Sequence, residues 1–222
     1  FGWKNQVFLN VTGRNDWFST LSPDNNSYFY PSVTASWVFT DTFKTSEWFT
    51  FGKIRASWAM ASNGTSAYQN MMTYKVRNYK INGQQVVTVN NNTYPNPDLK
   101  PVEITEKEIG LNLSFFQSRL NFDMAYYIKD TKDDIAQVST SSASGFGSRI
   151  MNVGKIQNKG FEFMVDGTPI KNANFMWNTT FNFALNDSKV KFLGEGVERL
   201  AIDGATSNIG SVGIYNVVGS SY

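Results

Sequence analysis

The chain has 222 residues, a formal net charge of +2, and neither histidine nor cysteine. Without imidazole or thiolate it cannot form a Ser-His or Cys-His nucleophile, a histidine- or cysteine-ligated zinc site, or a disulfide. Charged residues make up 17% of the chain and aromatic residues 15%, a balance poorer in charge than soluble domains usually show, and the scattered basic residues argue against nucleic-acid binding.

Apolar and polar residues alternate along seven segments, which is the pattern of β-strands with one apolar and one polar face. Two of the segments, 120–129 and 174–185, have 10 and 12 residues, whereas strands of globular proteins have roughly 5 to 6. In chain order, the segments cover residues 7–12, 33–39, 54–60, 108–115, 120–129, 161–166 and 174–185. One or two more strands are predicted around residues 190–193 and 212–218.

Long and short connections alternate between these segments. The gaps at 14–31, 61–103 and 131–155 are long, and those at 40–47, 116–119 and 169–173 are short. Successive loops of an up-and-down barrel lie at opposite rims, so the alternation predicts one rim of long loops and one rim of tight turns.

Aromatic and charged residues fit the same arrangement. Aromatic residues fall beside the predicted short turns: Trp37, Phe39, Trp48, Phe115, Phe116, Phe175 and Trp177. Apart from Lys107, charges avoid the predicted apolar face and lie on the opposite one: Arg55, Glu106, Glu108, Asp123, Lys129, Glu162 and Asp166. Transmembrane barrels have aromatic girdles, a lipid-facing apolar band and a polar interior.

The sequence therefore predicts an all-β fold, an antiparallel up-and-down transmembrane β-barrel segment of about seven to nine strands. No run approaches the roughly 18 apolar residues of a membrane-spanning helix, whereas a spanning strand needs only about 9 to 11 residues. A soluble β-sandwich has the same alternation of faces. It does not account for the connections, strand lengths and aromatic girdle together.

Several motifs resemble those of one transporter family. Residues 96–101, with the sequence Asn-Pro-Asp-Leu-Lys-Pro, precede Glu103 and the run Glu108-Ile109-Gly110-Leu111. This segment resembles the signature that enters a barrel strand in TonB-dependent outer-membrane transporters. Stretches within residues 13–37, 121–135 and 152–162 are similar to the SusC/RagA branch, most specifically Asn-Val-Gly-Lys at 152–155 and Lys-Gly-Phe-Glu at 159–162.

Members of that family have a TonB box, a plug domain inside a 22-stranded barrel, and a SusD-type surface lipoprotein as a lid. The resemblance implies that residues 1–222 are part of such a barrel, with the plug domain and TonB box lying outside this chain. It implies an active importer of glycans or oligopeptides in the bacterial outer membrane. The implied partners are a SusD-like lipoprotein, TonB through the missing N-terminal part, outer-membrane lipid, and the substrate. The alternatives are a passive porin or adhesin barrel and a secreted β-sandwich carbohydrate-binding domain.

The sequence predicts no catalytic, cofactor-binding or metal-binding residues. The carboxylate pairs Glu106/Glu108 and Asp133/Asp134 could be compared with a glycosidase pair, but solvation of an interior or a loop explains them better. Asp130, together with Asp133 and Asp134, has no EF-hand spacing, and a hydrated acidic loop is the simpler interpretation.

The long segment 61–103 holds the candidate contacts for substrate or lid. Aromatic rings and amide side chains suit sugars and peptides through stacking and hydrogen bonds. The candidate residues are Tyr68, Tyr74, Arg77, Tyr79 and Tyr94. Such residues also occur in ordinary hairpin loops, and Val86, Val87 and Val89 suit a protruding hairpin or a lid-contacting surface.

Overall fold

The computed structural model describes residues 1–194, 199–206 and 213–220. Within these ranges the regular structure consists of β-strands and two short 3₁₀ turns, Phe39–Asp41 and Ser142–Ser144. The strands are β1 (Gly2–Trp3), β2 (Val7–Trp17), β3 (Ser27–Val38), β4 (Phe49–Asn63), β5 (Tyr74–Ile81), β6 (Gln84–Val89), β7 (Thr93–Tyr94), β8 (Val102–Phe115), β9 (Leu120–Ser139), β10 (Ser148–Lys171), β11 (Met176–Phe192), β12 (Arg199–Thr206) and β13 (Gly213–Val217). No helical element in the described ranges is long and apolar enough to cross a membrane.

One antiparallel sheet contains the long strands, in the order β1-β2-β3-β4-β8-β9-β10-β11. Each of these strands pairs with the next one along the chain, once the insertion between β4 and β8 is set aside. The short strand β7 joins β10 in parallel, while β5–β6 and β12–β13 form separate two-stranded sheets. This order confirms the predicted antiparallel up-and-down fold, and within the described residues the sheet is open.

The strand register places the alternating apolar residues of all seven long strands on one side of the sheet, here called the apolar face. One row across this face is Ile54, Leu111, Met124, Phe163 and Phe183. The opposite side is here called the polar face, and its corresponding row is Arg55, Gly110, Ala125, Glu162 and Ala184. The predicted division of residues between two faces is confirmed strand by strand.

The apolar face has no second sheet against it in the described residues. Ile109 on β8 remains 51% exposed and Tyr126 on β9 43% exposed, although both strands have a paired strand on either side, and on the last strand, β11, Phe181 is 59% and Leu185 58% exposed. Among the residues whose burial the structure describes, only Leu99 and Val190 are both large and almost fully buried. A β-sandwich would bury such rings between two sheets, so the sandwich alternative is wrong for this chain.

Five of the seven aromatic residues predicted beside the short turns form a contiguous cluster with Phe49: Trp37, Phe39, Trp48, Phe115 and Phe116. The other two, Phe175 and Trp177, lie exposed beside the β10–β11 turn. The Trp48 ring stacks on Phe115 with centroids 5.7 Å apart, and Phe115 lies 5.1 Å from Phe49. On the neighbouring turn, Trp37 contacts Phe39 edge-on at 6.0 Å. The predicted aromatic belt therefore exists at the end of the sheet where β3–β4 and β8–β9 are connected.

The strands extend beyond their predicted limits at the opposite end of the sheet. β9 has 20 residues and β10 has 24, so most of the gap predicted at 131–155 is strand. The connections at 18–26 and 39–48 are similar in length, and strict alternation of long and short connections is wrong for this first pair. Alternation does not predict these extensions, because polar residues occupy both of their faces, as in residues 131–134, and period two is absent there.

The C-terminal strands differ from expectation as well. Residues 190–193 do not begin a new strand, because β11 continues through Phe192 and pairs with β10 up to that point. Of the strand predicted around 212–218, residues 213–217 form β13 and pair with β12. Residue 212 lies outside the described residues.

Candidate functional site

The largest insertion in the sheet is the segment 64–101, between the end of β4 and the start of β8. Its centre is the hairpin of β5 and β6, which turns at Asn82 and Gly83. Both turn residues have positive φ, 50° and 79°, as a two-residue type I′ turn requires. The Asn-Gly pair is the sequence signal for this hairpin.

The five predicted contact residues separate into three places. Tyr74, Arg77 and Tyr79 lie on β5, where both tyrosines are largely exposed. The Nε of Arg77 donates to Thr88 Oγ1 across the hairpin at 2.9 Å. Their grouping on one strand makes this hairpin the main part of the candidate site.

The remaining two residues lie elsewhere on the insertion. Tyr68 is exposed in the connection before β5, with a φ of 64°. Tyr94 lies on β7 beside β10, and its ring meets the Phe146 ring edge-on at 5.1 Å. Contact of any of the five with substrate or lid stays a prediction.

An exposed apolar strip runs along the hairpin. The cross-strand pairs Tyr74/Val89 and Val76/Val87 bring these four side chains to one face of β5–β6, and all four are exposed. Cross-strand aromatic and β-branched pairs stabilise such a hairpin. This strip supports the sequence-based interpretation of the valines as a protruding hairpin.

One attachment of the insertion to the sheet is the side chain of Asn152. The Asn152 amide accepts a hydrogen bond from the Lys100 backbone N–H at 2.8 Å and donates to the Lys100 carbonyl at 2.8 Å. It also donates to the Asp133 carbonyl at 2.9 Å. These three hydrogen bonds are here called the Asn152 clamp. Leu99, next to the clamp, is 0% exposed. The two motifs that carry the family resemblance, around residues 96–101 and 152–155, are thus in direct contact.

A second attachment lies at β7. Thr93 Oγ1 and Ser148 Oγ lie 3.0 Å apart, and the Gln137 side-chain amide donates to both, at 2.8 and 2.6 Å. The three residues come from β7, β10 and β9. Together with the clamp at Asn152, this network fixes the return path of the insertion onto the long strands.

The polar face carries a compact ionic cluster around Arg55. Its Nε donates to Glu108 at 3.0 Å, and its Nη1 donates to Asp123 at 2.9 Å and to the Asn112 amide oxygen at 2.8 Å. Gly110 lies directly opposite Arg55 on β8, and a Cβ there would overlap the guanidinium group. Glycine therefore leaves the space in which the arginine side chain lies flat across three strands.

Two depressions of the polar face adjoin this cluster. One has a volume of about 390 Å³, and its lining combines four charged or amide residues with five apolar ones: Arg55, Asp123, Glu162 and Asn182, and Ala125, Phe163, Met164, Phe183 and Ala184. The other, about 380 Å³, is lined by Glu106, Glu108, Tyr127, Lys129, Asn158, Glu162 and Asn186. Carboxylates outnumber cations in both linings. A surface of this kind can hydrogen-bond a polar solute through hydroxyl, amide and ammonium groups.

The acidic residues considered for catalysis or metal binding take part in contacts that stabilise the sheet or lie where its register is irregular. Glu108 pairs with Arg55, and Asp134 Oδ1 accepts from the Ile135 backbone N–H at 2.9 Å. Asp133 has a φ of 55° and lies opposite Gly154, where the β9–β10 register skips a residue. Within the described residues, no group of three or more acidic side chains is placed to hold a metal ion.

Comparison with known proteins assigns the chain to a family. Residues 1–214 match the family model described as TonB dependent receptor-like, β-barrel. The chain belongs to this family. The match covers every strand of the large sheet, so the paired strands with an exposed apolar face are a section of a TonB-dependent receptor barrel.

Curated relatives of the family are several times longer than this chain. TonB-dependent receptor P26 of Formosa agariphila is 32% identical over 197 residues, which is 87% of this chain and 20% of that protein. TonB-dependent receptor SusC of Bacteroides thetaiotaomicron is 24% identical over 201 residues, 86% of this chain and 20% of that protein. The chain therefore spans about a fifth of the length of these relatives.

Two solved structures show a similar fold. The RagAB peptide transporter superposes with a TM-score of 0.86 over 98% of this chain and 23% of that chain, at 22% identity. The siderophore receptor PirA of Pseudomonas aeruginosa gives a TM-score of 0.52 over 88% of this chain and 35% of that chain, at 18% identity.

Proposed function

We propose that this chain forms part of the barrel wall of an outer-membrane, TonB-dependent importer of glycans or oligopeptides that works with a SusD-like surface lipoprotein. One observation supports the proposal above all: a chain that matches the TonB-dependent receptor family forms a sheet with one apolar and one polar face. Its apolar face exposes Phe181 and Leu185, as a lipid contact requires, and its polar face holds the Arg55 cluster. The plug domain and the TonB box belong to the remainder of such a receptor.

The apolar face, the polar face and the insertion each have a separate role in this proposal. The apolar face contacts hydrocarbon, and the polar face lines the path of a hydrated solute. The long insertion, with Tyr74, Arg77 and Tyr79 on its hairpin, lies at the rim opposite the aromatic cluster. Aromatic and guanidinium groups there suit contact with a sugar, a peptide, or the lid protein.

The nature of the substrate follows from relatives and from the wall itself. The RagAB peptide transporter, which has a similar fold, is named for peptides, and the resemblance of the sequence motifs to the SusC/RagA branch adds glycans as the second substrate class to test. The two depressions beside Arg55 have room and hydrogen-bonding groups for either class.

Uptake measurements on cells test the proposal. Cells with and without the intact gene are given fluorescent oligosaccharides and oligopeptides, with and without a protonophore. An importer driven through TonB loses uptake of one substrate class on gene deletion and on addition of the protonophore. Uptake that needs the gene but ignores the protonophore would instead identify a passive porin. Equal uptake by both strains for every substrate would contradict the proposal.

A further inference from the structure

The apolar face changes to a charged surface within one row of residues on β8–β11. The last apolar row is Ala56, Ile109, Tyr126, Phe161 and Leu185. The next row towards the long insertion is Trp58, Lys107, Ile128, Lys159 and Asp187. Tryptophan beside lysine is typical of the level at which hydrocarbon gives way to headgroups.

Five lysines lie on this side of the sheet from that row outward, here called the lysine belt: Lys107, Lys132, Lys155, Lys159 and Lys189. Three acidic residues share the surface, and each has a lysine near it. Lys132 lies 3.2 Å from Glu103, Lys189 lies 3.3 Å from Asp187, and Lys155 lies 4.0 Å from Asp130.

Lys107 and Lys159 are the two cations left over. Within residues 1–194 the structure gives neither of them an ion pair, although Asp187 lies opposite Lys159 on β11. Both belong to the row nearest the apolar band, with Ile128 between them. Two strand spacings separate them, about 10 Å, so both ammonium groups can reach one phosphorylated headgroup through their flexible stems.

We propose that Lys107 and Lys159 bind the phosphate groups of anionic lipid in the leaflet on the long-loop side. The inference rests on the membrane placement proposed above. A lipid, in contrast to free phosphate, also uses the apolar row directly beneath, where Ile109 and Phe161 are exposed to its acyl chains. The pair thereby fixes the depth of the wall as well as its lipid neighbours.

Lipid titration of the intact receptor tests this assignment. The purified protein in detergent is titrated with diphosphorylated lipid A, and bound lipid is counted by native mass spectrometry. Each lysine near an anionic lipid surface contributes about 1 kcal/mol, roughly five-fold in affinity. The double variant Lys107→Gln/Lys159→Gln should therefore bind at least about ten-fold more weakly, and Lys107→Arg/Lys159→Arg should retain binding.

The matched control removes two lysines from the polar face, Lys53→Gln/Lys129→Gln, and should leave the lipid affinity unchanged. Equal weakening by both double variants would overturn the proposal, as would equal affinity of the wild type for dephosphorylated lipid A. Displacement of the lipid by millimolar inorganic phosphate would also overturn it, in favour of a free phosphate site. Outer-membrane fractionation of the wild type separates the two proposals, because absence from that membrane contradicts the placement itself.

Discussion

The contacts of single residues depend on how the strands are paired, because the partners of a side chain lie on other strands. Arg55 on β4 reaches Glu108 and Asn112 on β8 and Asp123 on β9. The sequence places these residues on the polar face by alternation. Their meeting at one guanidinium requires the pairing of Arg55 with Gly110, which no local pattern contains.

Removal of the guanidinium should destabilise the wall. Arg55→Met leaves Glu108 and Asp123 without their shared cation, and we expect a loss of about 1–2 kcal/mol, since these side chains keep part of their solvation. The measurement is the free energy of unfolding of the intact receptor in urea. Lys53→Met, on the same strand and face, is the control and should change it by less than about 0.5 kcal/mol. Equal losses would contradict a special role for the Arg55 cluster.

Neighbouring residues on β11 test which face meets lipid. Phe183 belongs to the apolar face, opposite Phe163, whereas Asn182 belongs to the polar face, opposite Met164. Phe183→Arg should cost about 2–4 kcal/mol near the bilayer midplane and reduce the folded, membrane-inserted fraction, while Asn182→Arg should be mild. The folded fraction is read from the heat-dependent shift on an electrophoresis gel. Equal tolerance of the two substitutions would reject the assignment of faces.

At the scale of strands and loops, sequence prediction succeeded where one face meets an apolar environment and failed beyond it. Alternation predicts all seven long strands, but it places the outer part of β10, residues 148–155, in a loop. Polar residues suit both faces of a strand that water surrounds, so period two disappears there although backbone pairing continues. The hairpin of β5 and β6 can be predicted locally, from the pair Asn82-Gly83. The Asn152 clamp cannot be predicted from a local pattern, because Lys100 is 52 residues away from Asn152.

The clamp predicts a local effect on the insertion. Asn152→Ala removes three hydrogen bonds to the Lys100 and Asp133 backbones. We expect amide exchange at Lys100 to accelerate about ten-fold, corresponding to roughly 1.4 kcal/mol, while exchange in the middle of β10 stays slow. Hydrogen–deuterium exchange of the intact receptor measures both. Asn158→Ala on the polar face of the same strand is the control. Unchanged exchange at Lys100 in Asn152→Ala would show that other contacts hold the loop.

For the whole molecule, the large sheet and the β5–β6 hairpin are separate in their strand pairing. Among the described residues, β5 and β6 pair with each other alone, whereas β4 and β8 pair along their full length on either side of the insertion. Folding of the wall therefore does not depend on the hairpin, and the hairpin is free to serve recognition.

Shortening the insertion tests this separation. Replacement of residues 74–89 by a short Gly-Ser linker should leave the folded, membrane-inserted fraction within about two-fold of the wild type, because loop length changes stability only slightly. Substrate uptake should fall at least about ten-fold, as expected when several contact side chains are lost together. A triple variant, Tyr74→Ala/Arg77→Ala/Tyr79→Ala, should show the same loss with the hairpin retained. Full uptake by both would exclude the hairpin from recognition.

The length of β9 and β10 determines how far the rim of the sheet extends beyond the row that contains Ile128 and Lys159. From the Ile128–Lys159 pair to their outer ends, each strand continues for about 11 residues, which at ~3.3 Å per residue and a tilt near 40° raises the rim roughly 25–30 Å. In the membrane placement proposed above, the rim formed by these strands is thus a collar that stands well clear of the bilayer surface. A protein cap seated on that collar would touch only protein, and it could swing open without dragging any part of itself through the headgroups.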